Sequence, residues 1–178
     1  MGQSDFSVAL LRGLWYNEHR ENDIKEMIPI TEKQLIGAIH SSMYHQIQRR
    51  GYAAPVDVLI DCGVLTKKAH EEWRFGRVPY LEKCCTVNLK KLSFIMHQIR
   101  VYAQKNNLKP SICVYKRWGV KKKGGQGHKP VIRLRFSKSG DEKIEQWYST
   151  HYLDIDKINQ LKKRTGTIKT DTDNTVQQ

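Results

Sequence analysis

A change of period near Pro110 does most to limit the folds open to this chain. Leu89, Leu92, Met96, Ile99 and Ala103 step by three and four residues. That spacing lines one side of an α-helix and predicts a long helix from Thr86 or Asn88 to Asn106. After Pro110 the period drops to two. The stretches "SICVYKRW" (111–118) and "VIRLRF" (131–136) are rich in β-branched and aromatic residues. In the second, Ile132, Leu134 and Phe136 alternate with Val131, Arg133 and Arg135, as in a strand with one buried face. The glycine-rich loop "GVKKKGGQGHKP" lies between them, so residues 112–137 are expected to form a two-stranded antiparallel ribbon.

The other elements read from caps and breakers. Leu10, Leu11, Leu14 and Trp15 predict a first helix over 5–18, followed by a polar link over 17–28. Thr31-Glu-Lys-Gln34 is a capping box, and a helix should follow to about Arg50, stopping at Gly51 and burying Leu35, Ile39, Met43 and Ile47. Pro55 opens a short helix that ends at Gly63, and Thr66 can cap another over 67–75. Helix, glycine turn and helix is the outline of a helix-turn-helix. The stretch "GRVPYL" (76–81) is a break. "SKSGDEKIEQWY" supplies a cap and a final helix to about Tyr152, with further turns over 154–164. The tail from 165 lacks apolar periodicity and is expected to be disordered.

Three regions result: an N-terminal helical region over 1–54, a helical core with basic β-hairpin and final helix over 55–164, and a tail over 165–178. The fold class expected is α+β, mostly helical with a C-terminal two-stranded antiparallel hairpin. Three helices followed by a basic hairpin is also the layout of a winged helix, with the hairpin as the wing.

A chain of 178 residues can bury a core without staples. Its apolar runs fall far short of the roughly 18 residues that span a bilayer, so no membrane partner is expected. The first residues lack a basic leader segment, and Phe6 stands where myristoylation needs serine or threonine. Cys62, Cys84, Cys85 and Cys113 form no C-x-x-C spacing. They are expected to be reduced, in a cytoplasmic setting, with no structural metal and no cofactor.

Charge then narrows the function. Net charge is +13. Residues 1–82 and 141–178 are close to balanced, whereas the 58 residues from 83 to 140 carry 15 Lys and Arg and no carboxylate. Self-repulsion of that kind suits a polyanionic partner. Nucleic acid, DNA or RNA, is therefore the expected partner, in a binding role of which regulation is one form. The ribbon candidates are Lys116, Arg117, Lys121, Lys122, Lys123, Lys129, Arg133, Arg135 and Lys138. Lys90, Lys91 and His97, on the wet face of the long helix, are secondary ones. Lysines suit phosphate, arginines suit phosphate or guanine. Tyr115, Trp118 and Phe136 lie among these cations; base stacking on them is one reading, and core burial is favoured for Phe136.

Two rival readings stand beside this one. A metal-dependent nuclease would draw acids from Asp57 and Asp61, four apart on one helix face, or from Asp141 and Glu145. The alternative is an exposed acidic face near a helix N-terminus for Asp57 and Asp61, and acids in a first helical turn for Asp141, Glu142 and Glu145, none of which needs catalysis. His151, among hydroxyls in "YSTHY", reads as a base or as a structural histidine. No H-x-x-x-H, phosphate-loop, nucleophile-elbow or dinucleotide pattern occurs. The second rival is a module whose basic face docks on an acidic protein. Oligomeric state is not legible.

Overall fold

The computed structural model describes residues 31–121 and 129–173, with side chains through 164. The expected helix over 5–18 and its link lie outside them. The chain divides into two compact units, Met1–Gln34 and Leu35–Gln178. In the first, residues 31–34 are described. The Thr31 N–H donates to Gln34 Oε1 (2.9 Å) and the Gln34 N–H donates to Thr31 Oγ1 (3.3 Å). This is the reciprocal box read from the sequence.

Along the chain run α1 (Glu32–Arg50), β1 (Tyr52–Ala53), α2 (Pro55–Asp61), α3 (Lys67–Arg74), a 3₁₀ turn (Leu81–Cys84), α4 (Leu89–Lys105), β2 (Lys109–Ile112), α5 (Glu142–Ser149), β3 (Thr150–Leu153) and α6 (Ile155–Asp173). The class is α+β, with six α-helices and a three-stranded sheet among the described residues. Caps act where their chemistry predicts. Thr66 Oγ1 accepts from Ala69 N, and Asn88 Oδ1 accepts from Lys91 N. Gly51, with φ of +80°, closes α1, and a Cβ there would collide with Ile158 Cγ1.

The sheet is antiparallel in the order β1-β3-β2, with Ala53 opposite Tyr152 and Pro110 opposite the same residue on the other side. Here the expected two-stranded hairpin needs correction. The outgoing segment first pairs with β3, as β2, and the Cys113 N–H donates to Ser149 O. Only then does it meet the return segment, where Lys116 faces Arg133 and the Arg117 N–H donates to Ile132 O. The other edge of the return segment runs parallel to the 3₁₀ turn, with Leu81 N–H donating to Arg135 O and Glu82 N–H to Phe136 O. A lone two-stranded ribbon is marginal in water, and each segment gains a second partner.

Two boundaries also move. The final helix stops at Ser149 instead of Tyr152, because Thr150 Oγ1 donates to Gln146 O at 2.7 Å and the chain turns into β3. The last helix runs to Asp173, past Arg164. Adding a residue to an existing helix needs no new nucleus, so it can outlast its apolar stripe.

The core draws Leu35, Ile39, Met43 and Ile47 from α1, Val56, Val58 and Leu59 from α2, Trp73 from α3, Leu92, Ile95, Met96, Ile99 and Ala103 from α4, and Phe136, Tyr148 and Tyr152 beyond. Leu89, read as part of the buried stripe, is 57% exposed; it is the first helical residue, ahead of the packed turns. The four cysteines are free and half-buried. Burial pushes the Cys62 thiol up to about 11 and the Cys85 thiol up to about 12, so both stay protonated at neutral pH. Among the described residues no helix is long and apolar enough to cross a membrane.

A polar network ties α1 to α2. Buried Gln46 donates to Ser42 Oγ (3.0 Å) and Asp61 Oδ2 (3.1 Å), and its Oε1 accepts from Ala54 N–H (3.0 Å) and Arg50 Nη2 (2.6 Å). Arg50 also pairs with Asp57 at 2.6 Å. Replacing Gln46 with alanine leaves the buried Ala54 N–H without its acceptor, and should destabilise the protein by about 2 kcal/mol. Urea denaturation measures this, and a midpoint equal to wild type at equal slope would refute it.

Candidate nucleic-acid interface

The cations of the ribbon divide by what their own chain does with them. Lys116 and Arg133 are opposite each other, and the flanking bonds, Arg117 N–H to Ile132 O and Leu134 N–H to Tyr115 O, make theirs the non-hydrogen-bonded pair. Side chains approach most closely at such pairs, on one face of the ribbon. Like charges so placed repel. Toward the loop the ribbon leaves the core: Phe136 is 3% exposed, Leu134 half-buried and Ile132 42% exposed.

The segment 117–118 is hooked to the end of α3. Arg117 Nε donates to Phe75 O at 2.7 Å, and the Trp118 N–H donates to Arg74 O at 2.7 Å. Gly76 permits this closeness, since a Cβ there would meet Arg117 Nε at 2.6 Å. Lys116, Arg117 and Lys129 then line one cleft of about 330 Å³, with Gly119 and Val120 between them. Lys121 is exposed next to it. Lys122 and Lys123 lie outside the described residues.

Arg135 turns back on its own chain, donating from Nη2 to Ser137 O (3.3 Å) and Lys138 O (2.9 Å). The neighbouring turn hangs on two carboxylates. Glu145 accepts from Phe136 N–H (3.0 Å), Ser137 N–H (2.7 Å) and Ser137 Oγ (2.7 Å), and Glu82 accepts from Lys138 N–H (2.9 Å) and the Tyr148 hydroxyl (3.2 Å). Lys138 lines a second cleft, of about 460 Å³, with Leu89, Ser93 and Met96 of α4 and Trp147 of α5. Lys90 and His97 are exposed and share a helix face with Ser93, which lines that cleft, whereas Lys91 is half-buried. Of the candidates, Lys116, Arg117 and Lys129 share the first cleft and Lys138 lines the second. Among the described residues, none of these Lys and Arg side chains has a carboxylate within ion-pair distance. Arg133 does share a third cleft with Glu142 and Glu145.

Where Trp118 is hooked to Arg74 lies a layer that net charge does not reveal. Arg74 sits among rings, its guanidinium carbon 4.5 Å from the Trp118 centroid and 5.2 Å from that of Tyr115. His70, one turn earlier on α3, meets Trp118 edge-on. Tyr115 Oη lies 2.9 Å from His151 Nε2, and the His151 ring stacks on Tyr52. Burial holds the His70 imidazole below its usual range, helped by Arg74 and opposed by Asp57 and Glu71. Burial, helped by Arg50 and opposed by Asp57, does the same for His151, and burial keeps the Tyr115 phenol protonated. The sequence signal was available: His70 and Arg74 are four apart on one helix face, around Trp73. Asp57 and Asp61, candidates for a shared metal, instead hold Arg50 and the Ser42–Gln46 pair. Among the described residues no group of three or more His, Cys, Asp or Glu side chains could hold a metal ion.

Compared with protein-family models, curated proteins and solved structures, the chain shows no match.

Both half-buried histidines bear on pH. A folded-state pKa below the unfolded value of about 6.5 means that the unfolded chain takes up protons first. The stability contributed by neutral His70 and His151 is complete above that pH and is lost as pH falls below it. NMR titration should place both ring midpoints under 6.5, and midpoints at or above 6.5 would contradict this packing.

Proposed function

We propose that this protein binds nucleic acid through its phosphates, with the cleft of Lys116, Arg117 and Lys129 as the centre of the binding surface. The observation that carries this reading is the cross-strand pair of Lys116, which lines that cleft, and Arg133, which lines the third cleft with Glu142 and Glu145; neither has a carboxylate in ion-pair reach among the described residues. Such an arrangement costs the isolated protein stability, and a phosphate between the two cations turns that cost into attraction. Lysines on flexible stems suit this work, and phosphate contacts fix position without reading sequence.

A winged-helix-like arrangement belongs to the same proposal. The α2–turn–α3 pair, closed at Gly63, stands for the helix-turn-helix, and the basic ribbon stands for the wing. Glu71 and Glu72 on α3 make that helix a poor groove reader, which leaves the ribbon as the main binding element. Binding is favoured over catalysis because Asp57, Asp61 and Glu145 already hold partners of their own. Four free thiols suit the cytoplasm.

Salt titrations on duplex DNA, single-stranded DNA and RNA test the proposal. Binding should weaken linearly in log–log form as salt rises. Lys116→Gln, Lys129→Gln and Arg133→Gln together should flatten the slope by roughly one for each phosphate no longer neutralised. An unchanged slope in a folded triple variant would remove this cleft from the binding surface. Equal affinity for polyglutamate would favour an acidic protein as the partner.

A further inference from the structure

We infer that Trp118 is a base-stacking platform and that the adjoining cleft takes single-stranded nucleic acid, an inference that rests on the nucleic-acid reading above. Trp118 is 40% exposed, whereas Trp73 is fully buried and Trp147 half-buried. An indole left this open near cations invites a ligand ring.

The ring is held in place before any ligand arrives. Its backbone N–H is bound to Arg74 O at 2.7 Å. Phe75 and His70 meet it edge-on, at 5.7 and 6.0 Å between centroids, and the Arg74 guanidinium lies over it at 4.5 Å. A side chain fixed by several neighbours loses little freedom on binding, so more of the stacking energy appears as affinity. The cation packed on the ring also adds positive charge to a surface meant for a base flanked by phosphates.

Position and shape select the form of nucleic acid. Trp118 falls between Arg117 and Gly119, both of which line the cation cleft, and consecutive Cα atoms are about 3.8 Å apart. Ring and candidate phosphate site are thus carried by neighbouring residues of one short segment. Duplex grooves are read by convex elements that enter them. This site is a concavity of about 330 Å³, at the small end of ligand pockets. It suits a single splayed nucleotide, whose base can leave its neighbours and stack on an aromatic side chain.

Fluorescence anisotropy with labelled oligothymidylate of about 16 nucleotides and with a duplex of equal length tests this, using wild type, Trp118→Ala and Trp118→Phe. Wild type should prefer the single strand. Trp118→Ala should lose about tenfold in single-strand affinity with duplex affinity nearly unchanged, and Trp118→Phe should recover much of the loss. Wild-type tryptophan emission should be quenched by the oligonucleotide and Trp118→Phe should lose that quenching, a readout that survives even if the alanine variant misfolds. Equal losses on both ligands in a folded variant, a wild-type preference for duplex, or quenching retained in Trp118→Phe would overturn the inference while leaving phosphate binding intact. No binding of wild type to either ligand at low salt would bring down both readings.

Discussion

The basic face depends on one hydrogen bond made in the core. Trp73 is fully buried, and its indole N–H donates to the carbonyl of Arg135 at 2.8 Å. A buried indole needs an acceptor, and this one lies 62 residues further along the chain. The same carbonyl receives the Leu81 N–H. Around it Phe136 stacks on Tyr148 and meets Tyr115 edge-on. The return segment is therefore fixed from below by aromatic packing, and the cations above it inherit its position. The charge-rich surface and the apolar core are two sides of one piece of backbone.

That dependence explains how the arginines and lysines divide their work. Arg117 and Arg135 each aim a guanidinium at carbonyls of their own chain. A planar fork with fixed donors suits such anchoring. Lys116 and Lys129 line the cleft with compact charges on long stems. The segment holds itself in shape with these two arginines, while Lys116 and Lys129 are exposed.

Most helices were legible because their signals are local. Capping boxes, Pro55 in a first turn and glycine at a helix end each act within a few residues of where they stand. The sheet was not legible for the opposite reason. β1 has two residues, and β3 directly follows a helix whose pattern runs into it. Which strand pairs with "SICV" depends on pairing some forty residues apart, which no periodicity records. At the candidate site, the charge distribution singled out the segment whose Lys116, Arg117 and Lys129 share a cleft. It did not foresee that Arg135 would turn onto the 137–138 carbonyls, or that Arg74, on a helix read as a poor groove reader, would lie beneath Trp118. Those outcomes are set by tertiary packing around Trp73.

The strand order has a consequence for how the protein is made. β3 is central in the sheet and last of its strands in sequence. Until Thr150 to Leu153 leave the ribosome, β1 and β2 have no strand between them, and the nascent chain carries two short unpaired edges after several helices have already emerged. Closing such distant pairings is slow relative to helix formation. Assembly of the sheet thus follows the emergence of the five described helices that precede β3, and the cationic segment waits on it for its final shape.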